Sequence, residues 1–442
     1  MAKLPLVAVV GKPNVGKSTF FNRIVGKRIS IVNDEPGVTR DRIYADAEWC
    51  GHAFTMIDTG GIEFNSDDNF SRHILIQAEL AIDMADEIVF IVDGKEGLTA
   101  GDLDVAQKLR RTKKPVILVV NKLDNYKPED LYEYYSLGLG EPFGISAEQA
   151  LGLGDLLDEI VKNLPENTKE EDDDSIKVAI VGKPNAGKSS IINKLVGENR
   201  VIVSDVAGTT RDAVDIPFKC NKKKYTLIDT AGLRRKSKIE DETTERYSVF
   251  RTIDSIRRAD VVVLVIDSNE PLSEQDVKIA GLIHEELKPS VIVMNKWDLI
   301  TKETSTMNKF DKQLSVDLAY MSYFKSVYLS ALTGKRLEKL MEAVDEVWEN
   351  ANKKITAGNL NEIIQNAYAI SNPPAKGGKR LKIFYATQTG TTPPTFVLFV
   401  NDTDLMQDNY KRYIENSIRN AVDFMGTPIR ITLKSKKEED IY

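Results

Sequence analysis

The sequence predicts an α/β protein: two copies of a mostly parallel sheet with helices on both faces, followed by a small α+β domain. Three observations carry this. The octapeptide GKPNVGKS, Gly11 to Ser18, recurs as GKPNAGKS, Gly182 to Ser189. Around each copy, short apolar runs alternate with amphipathic stretches, the pattern of parallel strands joined by helices. Past about Asn350 the repetition stops and a different order of elements begins.

Residues 1–165 read as the first domain. The apolar run Leu6 to Val10 leads into the octapeptide, and a helical pattern with Phe20, Phe21, Ile24 and Val25 closes at Gly26. Asn33 to Asp41 is polar, rich in turn residues and without apolar period, hence a loop. Ala53 to Ile57 runs into Asp58-Thr59-Gly60-Gly61, and Ile88 to Val92 ends at Asp93-Gly94. Pro115 to Val120 ends at Asn121-Lys122-Leu123-Asp124, and Phe143 to Ile145 at Ser146-Ala147-Glu148. Amphipathic stretches such as Asp102 to Arg110 and Leu153 to Leu164 lie between the strands. Sheets of this class bind ligands at the carboxyl ends of their strands. All these motifs fall on that edge.

Residues 166–176, proline-led just upstream and strongly acidic, read as a solvated linker. The programme then repeats over residues 177–350. Thr39 lies 22 residues after Lys17, and Thr210 lies 22 after Lys188; Asp58 and Asp229 each lie 41 after. Asn121 and Asn295 follow at 104 and 107, Ser146 and Ser330 at 129 and 142. The late drift marks an insertion between Asp298 and Ser330. Residues 351–442 read as helix, turn-rich SNPPAKGGKR, strand Leu381 to Ala386, strand Phe396 to Val400, helix Asn409 to Phe424 and a last alternating strand.

Composition narrows the class. Of 442 residues, 42% are hydrophobic and 29% charged, and no apolar run approaches the roughly 20 residues of a membrane span. The start of the chain enters a strand without a secretory pattern, so the cytoplasm is the expected compartment. Cys50 and Cys220 occupy equivalent places before polar turns and read as structural. The net charge of −7 does not suggest a nucleic-acid binder, but it is uneven: residues 351–442 carry 13 Lys+Arg against 9 Asp+Glu, leaving −11 on the remainder.

Each octapeptide fits G-x-x-x-x-G-K-[S/T], a loop whose backbone N–H groups surround phosphate oxygens at a helix N-terminus. The candidate contacts are Gly11, Asn14, Val15, Gly16, Lys17, Ser18 and Thr19, then Gly182, Asn185, Ala186, Gly187, Lys188, Ser189 and Ser190. Lys17 and Lys188 would reach the β- and γ-phosphates, with Ser18 and Ser189 offering hydroxyls to Mg²⁺. Asp58 and Asp229, each in D-x-x-G, would face the metal, while the N–H groups of Gly61 and Gly232 would meet the γ-phosphate. Thr39 and Thr210 are the threonines assigned to close over Mg²⁺ and to assist catalysis beside the lysines.

Base choice falls to N-K-x-D, Asn121-Lys122-Leu123-Asp124 and Asn295-Lys296-Trp297-Asp298. A carboxylate accepts two hydrogen bonds from the ring N–H and amino group of guanine. Adenine presents an acceptor instead and leaves the carboxylate unpaired. The lysine stems would cover the base. Backbone N–H groups at Ala147 and Ala331, each after a serine, would meet the guanine carbonyl. The ligands expected are GTP and GDP.

Two such domains, an acidic linker and a short α/β tail resemble the Der (EngA) family of bacterial ribosome-assembly GTPases, over essentially the full chain. The resemblance implies a role in maturing the large ribosomal subunit, contact with it or its rRNA-containing precursor, and a KH-like tail. No membrane or DNA partner is expected, and the chain is expected to act as a monomer. Ras orients its attacking water with a glutamine after D-x-x-G. Ile62 and Leu233 stand there in this sequence and cannot hydrogen-bond a water. Similar GTPases use the asparagine of the phosphate loop with K⁺, so Asn14 and Asn185 are candidate K⁺ ligands; the alternative is that they only shape the turn. KH modules grip RNA with G-x-x-G, but the tail offers only Gly377-Gly378 among Lys376, Lys379 and Arg380. RNA contact and plain domain docking both stand for it. The basic run Arg234, Arg235, Lys236 and Lys238 reads either as an RNA contact in a moving loop or as a solvated face. A nucleotide-gated binding module with incidental turnover is the rival reading. A membrane-remodelling GTPase lacks an anchor.

Overall fold

A computed structural model describes residues 4–26, 44–58, 75, 78–79, 81–125, 127–165, 175–198, 215–229, 242–301, 305–373, 375–376 and 378–435. The chain divides into two compact units, Met1–Asp173 and Asp174–Tyr442. The first is one α/β domain; the second holds the other α/β domain and the tail together.

In the first unit the elements run β1 (Leu6–Val10), α1 (Lys17–Gly26), β2 (Tyr44–Trp49), β3 (His52–Asp58), β4 (Glu87–Asp93), α2 (Ala100–Leu109), β5 (Val116–Asn121), a 3-10 segment Pro128–Leu137, β6 (Phe143–Gly144) and α3 (Leu153–Asn163). The sheet order is β2-β3-β1-β4-β5-β6, parallel except for the β2–β3 pair. The central strands are buried on both faces, which is why they read as unbroken apolar runs rather than alternating ones. One face packs against α1 and α3 through Phe20, Ile24, Leu156 and Ile160. The other packs against α2 and the 3-10 segment through Val105, Leu109, Tyr134 and Leu137.

The second unit repeats this with β7 (Ile176–Val181), α4 (Lys188–Glu198), β8 (Ile216–Cys220), β9 (Lys223–Ile228), α5 (Glu242–Arg258), β10 (Val261–Asp267), α6 (Glu274–Glu285), β11 (Ser290–Asn295), α7 (Thr306–Asp317), β12 (Lys325–Tyr328) and α8 (Leu337–Ala351). The sheet order is the same, β8-β9-β7-β10-β11-β12. The two copies agree in single bonds: Leu6 N–H donates to Asp86 Oδ2 and Lys177 N–H to Asp260 Oδ2, both at 2.8 Å. Helix α7 lies within the stretch of the expected insertion, between β11 and β12, where the first copy carries its 3-10 segment.

The tail is α9 (Ala357–Ile370), the short pair β13 (Ala375–Lys376) and β14 (Lys379–Arg380), β15 (Ile383–Thr391), β16 (Pro394–Val400), α10 (Asp408–Ala421) and β17 (Arg430–Ser435). β15 pairs antiparallel and β17 parallel with β16. Leu360, Ile364, Phe396, Leu398, Ile414 and Ile418 join the two helices to one face of this sheet.

Several expected bounds move. Edge strands β2 and β8 add to the strands the sequence predicts. YADAEW has no apolar run, and IPFKC carries Pro217, which an edge strand tolerates. The linker expected to 176 ends earlier, because Ile176 already pairs in β7. The boundary at 350/351 falls inside α8. The first long tail strand begins at Ile383, not Leu381, and continues through the polar Thr387–Thr391, because its hairpin pairing with β16 supplies partners that composition does not reveal. Helix α10 stops at Ala421, and Phe424 beyond it turns into the core. Cys50 is exposed in the β2–β3 turn; Cys220 is half-buried, and burial with the charge of Asp345 pushes its thiol up. No described helix is long and apolar enough to cross a membrane.

Candidate functional site

The phosphate loop bridges the end of β1 and the start of α1, and its copy bridges β7 and α4. Lys17 is buried, and its Nζ donates to the carbonyls of Gly11 at 2.6 Å and Lys12 at 2.8 Å. Lys188 donates to the Gly182 and Lys183 carbonyls, both at 2.6 Å. Each lysine thus folds back over its own loop. Burial pushes the Lys17 amine down to about 8, with the charge of Asp58 opposing. Such a desolvated ammonium is suited to an anion. Asn14 and Asn185 lie on the left-handed side at φ 66° and 62°, where asparagine is tolerated better than most residues. The short polar residues Ser18, Thr19, Ser189 and Ser190 are exposed in the first helical turns.

The loop is strapped to the base motif. Asn121 Nδ2 donates to the Val15 carbonyl at 2.7 Å, and its Oδ1 accepts from Ala147 N–H at 2.9 Å. Asn295 makes the same bonds to the Ala186 carbonyl at 2.7 Å and from Ala331 N–H at 3.0 Å. Gly16 and Gly187 are needed for this approach: a Cβ there would lie 2.3 Å from Asn121 Nδ2 and 2.1 Å from Asn295 Nδ2. Three distant motifs are therefore joined through one amide in each copy. The N–H groups of Ala147 and Ala331 are engaged by that amide.

Lys122 and Lys296 are set by carboxylates at the ends of β4 and β10: Lys122 Nζ lies 2.6 Å from Asp93 Oδ2, and Lys296 Nζ lies 2.5 Å from Asp267 Oδ2. Asp124 accepts from the Ser146 hydroxyl at 2.8 Å and from Lys95 Nζ at 2.8 Å. Asp298 is exposed, and the buried Ser330 hydroxyl accepts from Thr333 N–H at 3.3 Å. Where the sequence leads one to expect a metal in the first copy, the Ser18 hydroxyl donates to Asp58 Oδ2 at 2.9 Å. In the second, Asp229 Oδ2 accepts from the Ser255 hydroxyl on α5 at 3.3 Å, and Asp229 N–H donates to Asp215 at 3.0 Å.

Thr39, Gly61, Ile62, Thr210, Gly232, Leu233, the loops around them, the basic run Arg234 to Lys238 and Gly377 lie outside the described residues. Two pairs have no role assigned by the motifs. Lys12 Nζ lies 2.9 Å from Glu96 and 3.6 Å from Asp102, and Lys183 Nζ lies 2.7 Å from Glu270 and 3.6 Å from Asp276. Asp102 and Asp276 also cap α2 and α6. The second pair is Asp93 and Asp267. Each precedes its asparagine by 28 residues, a repeat offset that could have found them.

The family described as "50S ribosome-binding GTPase" matches residues 6–122 and 177–296, and "KH-domain-like of EngA bacterial GTPase enzymes, C-terminal" matches residues 354–434. GTPase Der of Alkaliphilus metalliredigens is 56% identical over 442 residues, covering all of both chains. GTPase Der of Alkaliphilus oremlandii is 55% identical over 438 residues, 99% of each chain. That of Clostridium botulinum strain Hall is 54% identical over 441 residues, 99% of this chain and all of the relative. Carrying the phosphate loop and N-K-x-D twice, ending in a KH-like domain, and sharing more than half its positions with relatives from end to end, the chain belongs to the Der (EngA) family of tandem GTPases.

Proposed function

We propose that both domains hydrolyse GTP with Mg²⁺ and that their nucleotide state controls binding to the large ribosomal subunit or its precursor. The observation that supports this best is the duplicated site. Each copy places a phosphate-loop lysine, a first-turn serine and an asparagine-strapped base motif on one sheet edge. Lys17 and Lys188 would leave their loop carbonyls for the β- and γ-phosphates. Asp124 and Asp298 would accept from guanine, Lys122 and Lys296 would cover its plane, and the N–H groups of Ala147 and Ala331 would be shared between the strapping amide and the base carbonyl.

A hydroxyl and a carboxylate already in contact, Ser18 and Asp58, suit a hard cation with oxygen ligands. When bound, Mg²⁺ supplies positive charge against the negative charge on the transferring phosphoryl group. Ser189 and Asp229 are the corresponding ligands of the second site. Thr39 and Thr210 would complete the shells, with the N–H groups of Gly61 and Gly232 on the γ-phosphate. K⁺ at Asn14 and Asn185 would add the charge that Ile62 and Leu233 cannot organise.

The ribosomal part of the proposal draws on the family description and on the basic tail. Lys379, Arg380, Lys382 and Arg430 are exposed, as a phosphate backbone requires. Sedimentation of the full chain with large subunits tests it. Co-sedimentation should be stronger with GTP or a non-hydrolysable analogue than with GDP, and should fall steeply with salt. The variant Lys379→Glu, Arg380→Glu, Lys382→Glu should lose association while keeping nucleotide binding. Equal co-sedimentation in all nucleotide states would overturn nucleotide control; undiminished binding of the charge-reversed variant would remove the tail from the contact.

A further inference from the structure

The two copies of the guanine site differ beside the base-reading aspartate. Two residues beyond the aspartate that ends β4 stands Lys95; the same step beyond β10 reaches Asn269. Lys95 Nζ sits 2.8 Å from Asp124 Oδ2, while the Ser146 hydroxyl donates to Asp124 Oδ1 at 2.8 Å. One donor therefore holds each carboxylate oxygen. A carboxylate offers about four lone-pair sites. The two left over, one per oxygen, match the ring N–H and amino group of guanine. The Lys95 ammonium, and after it the Ser146 hydroxyl, hold the Asp124 carboxyl below the usual carboxylate range. In the second copy the Ser330 hydroxyl accepts from Thr333 N–H, the exposed Asp298 has no hydrogen bond to it among the described residues, and the amide of Asn269 stands where the first copy has the ammonium.

We propose that Lys95 is a positioning residue of the first guanine site. With Ser146 it fixes Asp124, charged and in one orientation, before nucleotide arrives, so the first site meets the base with a pre-set carboxylate. The second site carries Asn269 in place of this ammonium. This rests on the reading of Asp124 and Asp298 as the base readers. Ordering a side chain in advance removes part of the entropic cost of binding. Lys95 is largely exposed, with 64% of its side-chain surface accessible, so the gain is that of a surface ion pair. It is also subject to screening by salt.

The test uses the full chain in an Asp298→Asn background, where guanine nucleotide reports the first site. Lys95→Asn, which copies the second domain, should weaken GDP and GTP binding about threefold to fivefold at low salt. Lys95→Arg should restore it. The gap between Lys95→Asn and its parent should close near 1 M salt, where the Debye length is about 3 Å, which loss of a packing contact would not do. With Asp124→Asn introduced and Asp298 left intact, so that xanthosine diphosphate reports the first site alone, Lys95→Asn should have no further effect. Unchanged affinity in Lys95→Asn would overturn the proposal. So would tighter binding, which would mean that the ammonium occupies the place of the base. If Asp124→Asn itself leaves guanine binding intact, the base-reading assignment fails, an outcome separate from failure of Lys95.

Discussion

Gly426 donates its backbone N–H to the Tyr323 carbonyl at 2.6 Å, and the Gly426 carbonyl accepts from Ser290 N–H at 2.7 Å. This pair of bonds fixes the tail to the second GTPase domain at the start of β11, the end of the strand opposite Asn295 and the nucleotide edge. Around it, Asn350 Nδ2 donates to the Met425 carbonyl at 2.9 Å, and the Arg419 guanidinium lies 4.7 Å from the Tyr323 ring centre. Docking of the tail is thus realised on its own neighbour in the chain.

Gly426→Ala should loosen that joint. Gly426 has φ 74°, and a Cβ would sit 2.2 Å from Val347 Cγ2 and 3.1 Å from the Ser290 carbonyl. Left-handed strain plus overpacking should cost about 2–4 kcal/mol. Thermal unfolding should show the transition of residues 174–442 lowered and that of the first domain unmoved. An unchanged melting profile would mean that the docking loop yields without cost.

Glu87 makes the first domain sensitive to pH. It is fully buried at the start of β4; Oε1 accepts from Asn163 Nδ2 at 3.1 Å, and Oε2 has no hydrogen-bond partner among the described residues. Burial pushes its carboxyl up to about 8, opposed by the Asn163 bond and aided by the charge of Glu159. The folded state therefore holds a proton that the unfolded chain releases near 4.5. The stabilisation is complete below the unfolded value and is lost as pH rises through about 8. The slope reaches at most about 1.4 kcal/mol per pH unit. Glu87→Gln keeps the Asn163 bond and should raise stability at pH 8 by about 1–3 kcal/mol. Denaturant unfolding between pH 5.5 and 8.5 measures this; parallel pH profiles for variant and wild type would count against it.

The phosphate-loop asparagines can be separated into turn and ligand. Their left-handed φ is available to glycine, which lacks the amide carbonyl. The double variant Asn14→Gly, Asn185→Gly should keep its loops and nucleotide binding but lose K⁺ stimulation of steady-state hydrolysis. Rates in K⁺ and Na⁺ buffers of equal ionic strength decide it. If stimulation survives, the asparagines serve the turn alone.

Base reading has its own test. Asp124→Asn and Asp298→Asn should each weaken guanine binding at one site by about 10²-fold or more, since a charged acceptor of two bonds is lost. Each should admit xanthine nucleotides. Two tight GTP sites persisting in the double variant would refute the assignment.

The sequence by itself determined the repeat, the sheet class, and the chain positions of the phosphate loops and N-K-x-D motifs. Those signals are local: apolar runs mark strands buried on both faces, and glycine, lysine and aspartate at strand ends mark turns. The tertiary structure decided which groups meet. Asn121 reads in sequence as part of a base motif, yet its amide ties Val15 to Ala147, 106 residues back and 26 ahead. Glu87 begins an apolar strand like any flanking charge, and only packing against α3 seals it from water. The tail segment Met425-Gly426-Thr427 looks like an ordinary turn until Tyr323, Ser290 and Val347 close around it. Such pairings join residues far apart in the chain. They depend on how strands and helices stack, and local composition carries no record of that stacking.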